Sequence, residues 1–219
     1  MNRLLDKMQR RFGRFRIENL MFYIVLTMGA VFIIDYCMMF SPVNFSLSSY
    51  LYFDRNAILS GQIWRVITFI FMPVGSNVLF FMFSLYFYWL IGSVLESEWG
   101  IFKFNVFYLF GVIGSIIFGF ITGYATNYYL NLSLFLAFAM LYPDHTISLF
   151  MIIPVKIKYI AILDCVYLGY LFIIGSWQNK AALVIALVNL IIFFGDNFID
   201  SIRNAKRRYE FRKSLRGRK

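Results

Sequence analysis

Long apolar runs separated by short polar breaks make up most of the chain, and the runs are too uniform to be one face of a surface helix. Leu20 to Phe40 carries a single charge, Asp35, near its far end, and Val78 to Leu95 carries none. About 20 consecutive apolar residues cross the hydrocarbon of a bilayer as a helix. These runs therefore predict membrane spans, and four more follow at Phe104 to Tyr124, Leu130 to Tyr142, Ile157 to Ile174 and Ala181 to Phe198. The fourth is short for a full crossing, which is tolerable if other protein covers it. Strict two-residue alternation, the mark of a barrel strand, is missing from runs such as Leu20 to Ile34. The expected fold class is all-α, a polytopic bundle of six transmembrane helices.

The breaks refine this outline. Ser41 to Arg65 is a polar and aromatic loop expected to lie against the membrane surface, with Trp64 and the tyrosines at headgroup depth. Trp99 and Gly100 predict the turn between spans two and three. Pro143 and Asp144 end span four. Pro154, Lys156 and Lys158 together exclude a mid-bilayer course, so residues 147 to 154 are expected to be extended or interfacial. Within span three, Gly111, Ser115, Gly119 and Gly123 recur at every fourth position. A stripe of small side chains lets a neighbouring helix approach closely, which predicts that span three is central.

Composition agrees with a polytopic membrane protein: of 219 residues, 61% are hydrophobic and only 15% are charged. The net charge of +10 is concentrated at the two ends, which argues against nucleic-acid binding. The expected organisation is a basic segment at 1–18, a transmembrane domain at 19–198 and a basic tail at 199–219. Short basic flanks mark the cytoplasmic side, so both termini are expected there and the number of crossings is even. Leu4, Leu5, Met8, Phe12 and Phe15 make the first segment an amphipathic lead-in, and no small-residue cleavage site follows the first run. Cys37 and Cys165 fall inside apolar runs and offer neither a disulfide framework nor a metal-binding spacing. No cofactor or metal is expected, and the lipid bilayer is the partner composition implies. Abundant Phe, Ile, Asn and Tyr together with short tails point to the cell membrane of a bacterium with an AT-rich genome.

Candidate chemistry is sparse. The one histidine, His145, follows Pro143 and Asp144 at a helix end and is expected at the cytoplasmic boundary. Asp35 and Asp196 lie near opposite membrane faces and are not expected to meet as a carboxylate pair. Asp164 is the costliest residue, because a carboxylate inside a membrane helix must face protein, water or a cation. With Ser84, Asn131 and Ser133 it forms the candidate polar intramembrane set.

Trp64-Arg65 in the loop, and Gly92-Ser93-Val94-Leu95-Glu96 followed by Gly100 and Phe104, carry a pattern that resembles the rhomboid superfamily, which includes rhomboid proteases and Derlins. Leu141-Tyr142-Pro143-Asp144, Leu149-Phe150 and Ile153-Pro154-Val155-Lys156 look like the stretch after span four in many members. The likeness covers roughly Leu59 to Lys158. It implies a six-helix fold in which Trp64, Arg65 and Glu96 are structural. It also implies what is missing, since rhomboid proteases use a serine in Gly-x-Ser-Gly on span four and a histidine on span six, helped by His and Asn on span two. By position the span-two helpers fall on Phe80 and Ser84 and the nucleophile falls near Tyr128. Ser133 is the nearest serine but lacks glycine neighbours, and span six has no histidine. Without a base a serine hydroxyl stays protonated and weakly nucleophilic.

The resemblance implies a pseudoprotease with no catalytic residues, one that binds transmembrane helices of client proteins in quality control or trafficking. A rhomboid-family protease with an atypical site at Ser133 is the alternative. A small transporter or channel built around Asp164, Asp35 and Lys158 is the second alternative, disfavoured because no internal repeat is visible.

Overall fold

The computed structural model describes residues 16–40, 46–74, 77–149, 153–177, 180, 183–184 and 186–191. Four of its helices are long and apolar enough to cross a membrane: α1 (Leu20–Met38), α5 (Val78–Trp99), α6 (Ile101–Thr122) and α8 (Ile157–Ile174). Three short helices, α2 (Ser48–Leu51), α3 (Arg55–Leu59) and α4 (Arg65–Thr68), fold the loop between α1 and α5. A fifth apolar helix, α7 (Tyr128–Leu141), is 14 residues long. The sixth expected span falls mostly outside the described residues, of which 183–184 and 186–191 are helical. The basic tail, and all but the end of the basic lead-in, also lie outside them. The described chain is helical except for one antiparallel hairpin, β1 (Thr146–Leu149) and β2 (Ile153–Lys156), on the segment expected to be extended.

Local chemistry explains where the helices begin and end. Asn77 caps α5 by accepting from the Leu79 N–H at 2.9 Å, and the Asp54 carboxylate caps α3 through Asn56 and Ala57. Gly100 separates α5 from α6 with a φ of 81°, a conformation glycine adopts at no steric cost. At the start of α1, Asn19 has a φ of 54°, and its N–H donates to Glu96 Oε1 at 2.8 Å. Asn105 Nδ2 donates to the Ile17 carbonyl at 3.0 Å, so α5 and α6 together hold the approach to α1.

Helix α1 packs along α5, where Phe32 stacks on Phe81 with centroids 3.9 Å apart. The most enclosed element is α7, with every residue from Tyr129 to Ala139 buried. Among the four membrane-length helices α6, which carries the small-residue stripe, is the most buried, at 39% of its apolar window, and the short α7 is more enclosed still. A 14-residue helix spans only about 21 Å, less than the hydrocarbon core, so protein on all sides must cover its ends. The opposite case is α8, which buries 11% of its apolar window and presents Leu163, Val166 and Ile173 outward, as a lipid-facing helix does.

Candidate functional site

A cleft of about 160 Å³ opens between α5, α7 and α8, lined by Phe83, Ser84, Phe87, Tyr88, Tyr128, Asn131, Leu132, Phe135 and Asp164. Each helix turns one or two polar side chains toward it, while the phenylalanines form its apolar wall. Ser84, Tyr88, Tyr128 and Asp164 are partly exposed, so the cleft opens at the outside of the bundle. Three of the four residues proposed for the polar intramembrane set therefore meet: Ser84, Asn131 and Asp164. Ser133 does not. It is 1% exposed on the enclosed side of α7, and its hydroxyl donates to the Leu130 carbonyl at 2.7 Å.

The polar groups of the cleft are poorly matched to one another. Ser84 Oγ donates to the Phe80 carbonyl one turn back, at 2.9 Å. Asn131 is 3% exposed, and its amide lies beside the Tyr88 hydroxyl, although Nδ2 makes no hydrogen bond of good geometry among the described residues. Tyr88 and Tyr128 both sense the Asp164 carboxylate, which has no hydrogen bond or ion pair among the described residues. Buried amides are nearly always paired, so the loosely bonded Asn131 is a weak point in the polar packing of the cleft.

The framework residues behave differently. Arg65 is 5% exposed, and its guanidinium donates to the carbonyls of Ser49 and Tyr52, each at 3.0 Å, and to Gln62 Oε1 at 2.6 Å. It also sits over the Tyr52 ring, 4.7 Å from the centroid. Trp64 Nε1 donates to the Tyr50 carbonyl at 3.1 Å, and Thr68 Oγ1 to the Leu51 carbonyl at 2.9 Å. Four successive carbonyls at the end of α2 are thereby taken up by one face of α4 and the residue before it. At the other end of α2, Asp35 accepts from the Leu47 N–H, the Ser48 N–H and the Ser48 hydroxyl. Asp35 was legible only as an isolated carboxylate, since nothing in its neighbourhood along the chain announces the helix it caps.

The small-residue stripe does not form one interface. A Cβ on Gly111 would come within 2.4 Å of Leu130 Cδ1 on α7 and 3.0 Å of Asn189 Nδ2, so Gly111 is where two helices close on α6. Ser115 Oγ bonds back to the Gly111 carbonyl. Gly119 instead receives the buried ring of Phe53, with 2.6 Å from its ideal Cβ to Phe53 Cε1. Gly123 ends α6 with a φ of 86°, a C-terminal cap and not a packing contact. Periodicity found the stripe, but only the fold shows that it serves a helix, a loop aromatic and a turn in succession. A further link absent from any motif is Asn127, whose Nδ2 donates to the carbonyls of Ile70 and Met72 and ties α7 to the loop.

His145 lies beside the hairpin, far along the chain from the cleft, with its ring edge toward Phe138 and Tyr142. Next to it the Tyr142 hydroxyl donates to Glu98, and this hydrogen bond raises the phenol pKa. Lys158 Nζ donates to Asp144 Oδ1 at 2.7 Å and holds that carboxyl below its ordinary range. Among the described residues, no group of three or more His, Cys, Asp or Glu could hold a metal ion.

The family described as "Eukaryotic integral membrane protein (DUF1751)" matches residues 18–194. The chain belongs to that family. No curated protein matches it. Membership makes this an integral membrane protein and overturns the expected bacterial cell membrane, because the family is eukaryotic. The error has a plain cause. An excess of Phe, Ile, Asn and Tyr reports the base composition of a genome, and tail length reports nothing about the kind of cell.

Proposed function

We propose that this family member has a rhomboid-like architecture without hydrolytic chemistry and binds a transmembrane helix of another protein in the cleft between α5, α7 and α8. The observation that carries the reading is the cleft itself: apolar walls with room for a side chain of a neighbouring helix, an opening at the bundle surface, and a carboxylate, Asp164, with no ion pair among the described residues. In a bilayer two helices gain little from the hydrophobic effect, so close packing and interhelical hydrogen bonds decide whether they associate. The cleft offers both.

Hydrolysis is the less supported reading. Both candidate serines spend their hydroxyls on carbonyls of their own helices, and the imidazole of His145 contacts aromatic rings beside the hairpin. A serine attack needs a base within hydrogen-bonding reach.

A photo-crosslinking residue placed at Phe87 in the cleft, and in a separate variant at Ile113 on the exposed face of α6, tests the proposal. With single-span membrane proteins co-reconstituted in vesicles, the Phe87 variant is expected to give adducts of uncut partner and the Ile113 variant few. Equal yields from both positions would remove the cleft as a binding site. Partner fragments that disappear in Ser133→Ala would restore the protease reading.

A further inference from the structure

We infer that the helix this cleft selects carries a lysine or arginine at the depth of Asp164, whose carboxylate receives the cation while Tyr88, Tyr128 and Asn131 surround it. The inference rests on the reading of the cleft as a helix-binding site and adds the chemical class of what is bound.

Asp164 lies seven residues into α8, about 10 Å along the helix from its start. A carboxylate at that depth is expensive unless it is paired. Its neighbours across the cleft offer no charge to balance it, being the neutral hydroxyls of Tyr88 and Tyr128 and the amide of Asn131. The cations nearest in sequence are already engaged, since Lys156 and Lys158 both reach Asp144 beside the hairpin. Arg65 is spent on loop carbonyls. The protein thus keeps a carboxylate in the wall of an open intramembrane cleft and supplies it with no counter-ion among the described residues.

The surroundings suit an ammonium or guanidinium. Each brings several N–H donors and accepts nothing, so acceptors must cluster around it. The carboxylate supplies up to four acceptor positions, and the oxygens of Ser84, Tyr88, Tyr128 and Asn131 line the same space. A cation carried on a partner helix is equally unwelcome in lipid. Pairing relieves both helices at once, which gives the cleft a preference that an apolar groove alone would not have.

The test uses the full-length chain in phosphatidylcholine vesicles with a leucine-alanine host helix that bears a central guest residue and a photoactivatable diazirine one turn away. Guests are Leu, Gln, Glu, Lys and Arg. Lys and Arg are expected to give about tenfold more adduct at cleft residues than Leu, equivalent to about 1.4 kcal/mol, with Glu at or below Leu. Asp164→Asn is expected to abolish the cation preference, so that Lys, Arg and Leu guests give equal adduct yields, and Asp164→Glu to retain it. A cation preference that survives Asp164→Asn would overturn the inference, as would equal yields for Lys and Leu at the cleft, which leave helix binding itself intact. Absence of cleft adducts for every guest, Leu included, would overturn the binding reading and this inference with it.

Discussion

Two regions of the molecule treat their polar side chains in opposite ways. In the loop between α1 and α5, Asp35, Asp54, Trp64, Arg65 and Thr68 each close a hydrogen bond that a short helix would otherwise leave open. In the cleft between α5, α7 and α8, Asn131 Nδ2 makes no hydrogen bond of good geometry and the Asp164 carboxylate no ion pair among the described residues. Satisfied polar groups hold a structure in one arrangement. Unsatisfied ones cost stability, and they are kept where something else completes them. The loop is therefore a fastening, and the cleft is where the proposed partner helix would complete the pairing.

The contrast can be broken most directly at Arg65. Arg65→Ala leaves the carbonyls of Ser49 and Tyr52 without their guanidinium donor and is expected to destabilise the protein by about 2–3 kcal/mol. Thermal unfolding in detergent would show it, and Arg65→Lys should recover only part because an ammonium lacks the fork that reaches both carbonyls. A variant as stable as the parent would mean that the loop is not fastened there. Asp35→Ala removes the cap on α2 and is expected to cost about 1–2 kcal/mol by the same measurement.

The cleft should respond the other way. Asn131→Leu replaces an unpartnered amide by an apolar group of similar volume, so unfolding is expected to stay within about 1 kcal/mol of the parent or to move upward. Helix crosslinking at the cleft should fall in the same variant. A large loss of stability would place Asn131 with the fastening residues and undo the division. The smallest effect is at the hairpin, where Lys158 depresses the pKa of Asp144. A carboxylate with a lowered folded-state pKa adds stability above its unfolded pKa and loses it as pH falls through the folded value. Lys158→Ala should therefore lower stability slightly at neutral pH, with variant and parent converging as pH falls through the folded-state pKa of Asp144, and the effect is small because both groups are well exposed.

Much of this was written along the chain. The spans at Val78 and Ile157 begin where the apolar runs do, because bilayer thickness sets the length of a helix and Asn77, Gly100 and Lys156 punctuate the runs locally. The extended character of 147–149 and 153–154 followed from Pro154 and two lysines, and the enclosure of the short fourth helix followed from its length. Contacts between distant residues were not legible. Glu96 bonds Asn19, 77 positions away, and Asp35 caps a helix that begins in the following loop. Ser84, Asn131 and Asp164 sit on three helices whose faces nothing local orients, since lipid is as apolar as the bundle interior and hydropathy does not tell one side of a span from another. For that reason Ser133, two positions from Asn131, looked equally plausible as part of the polar set. Apolar run length and turn residues define which segments cross, whereas which side chains share a cleft depends on helix rotation, and rotation is set by packing at Gly111, Gly119 and around α7.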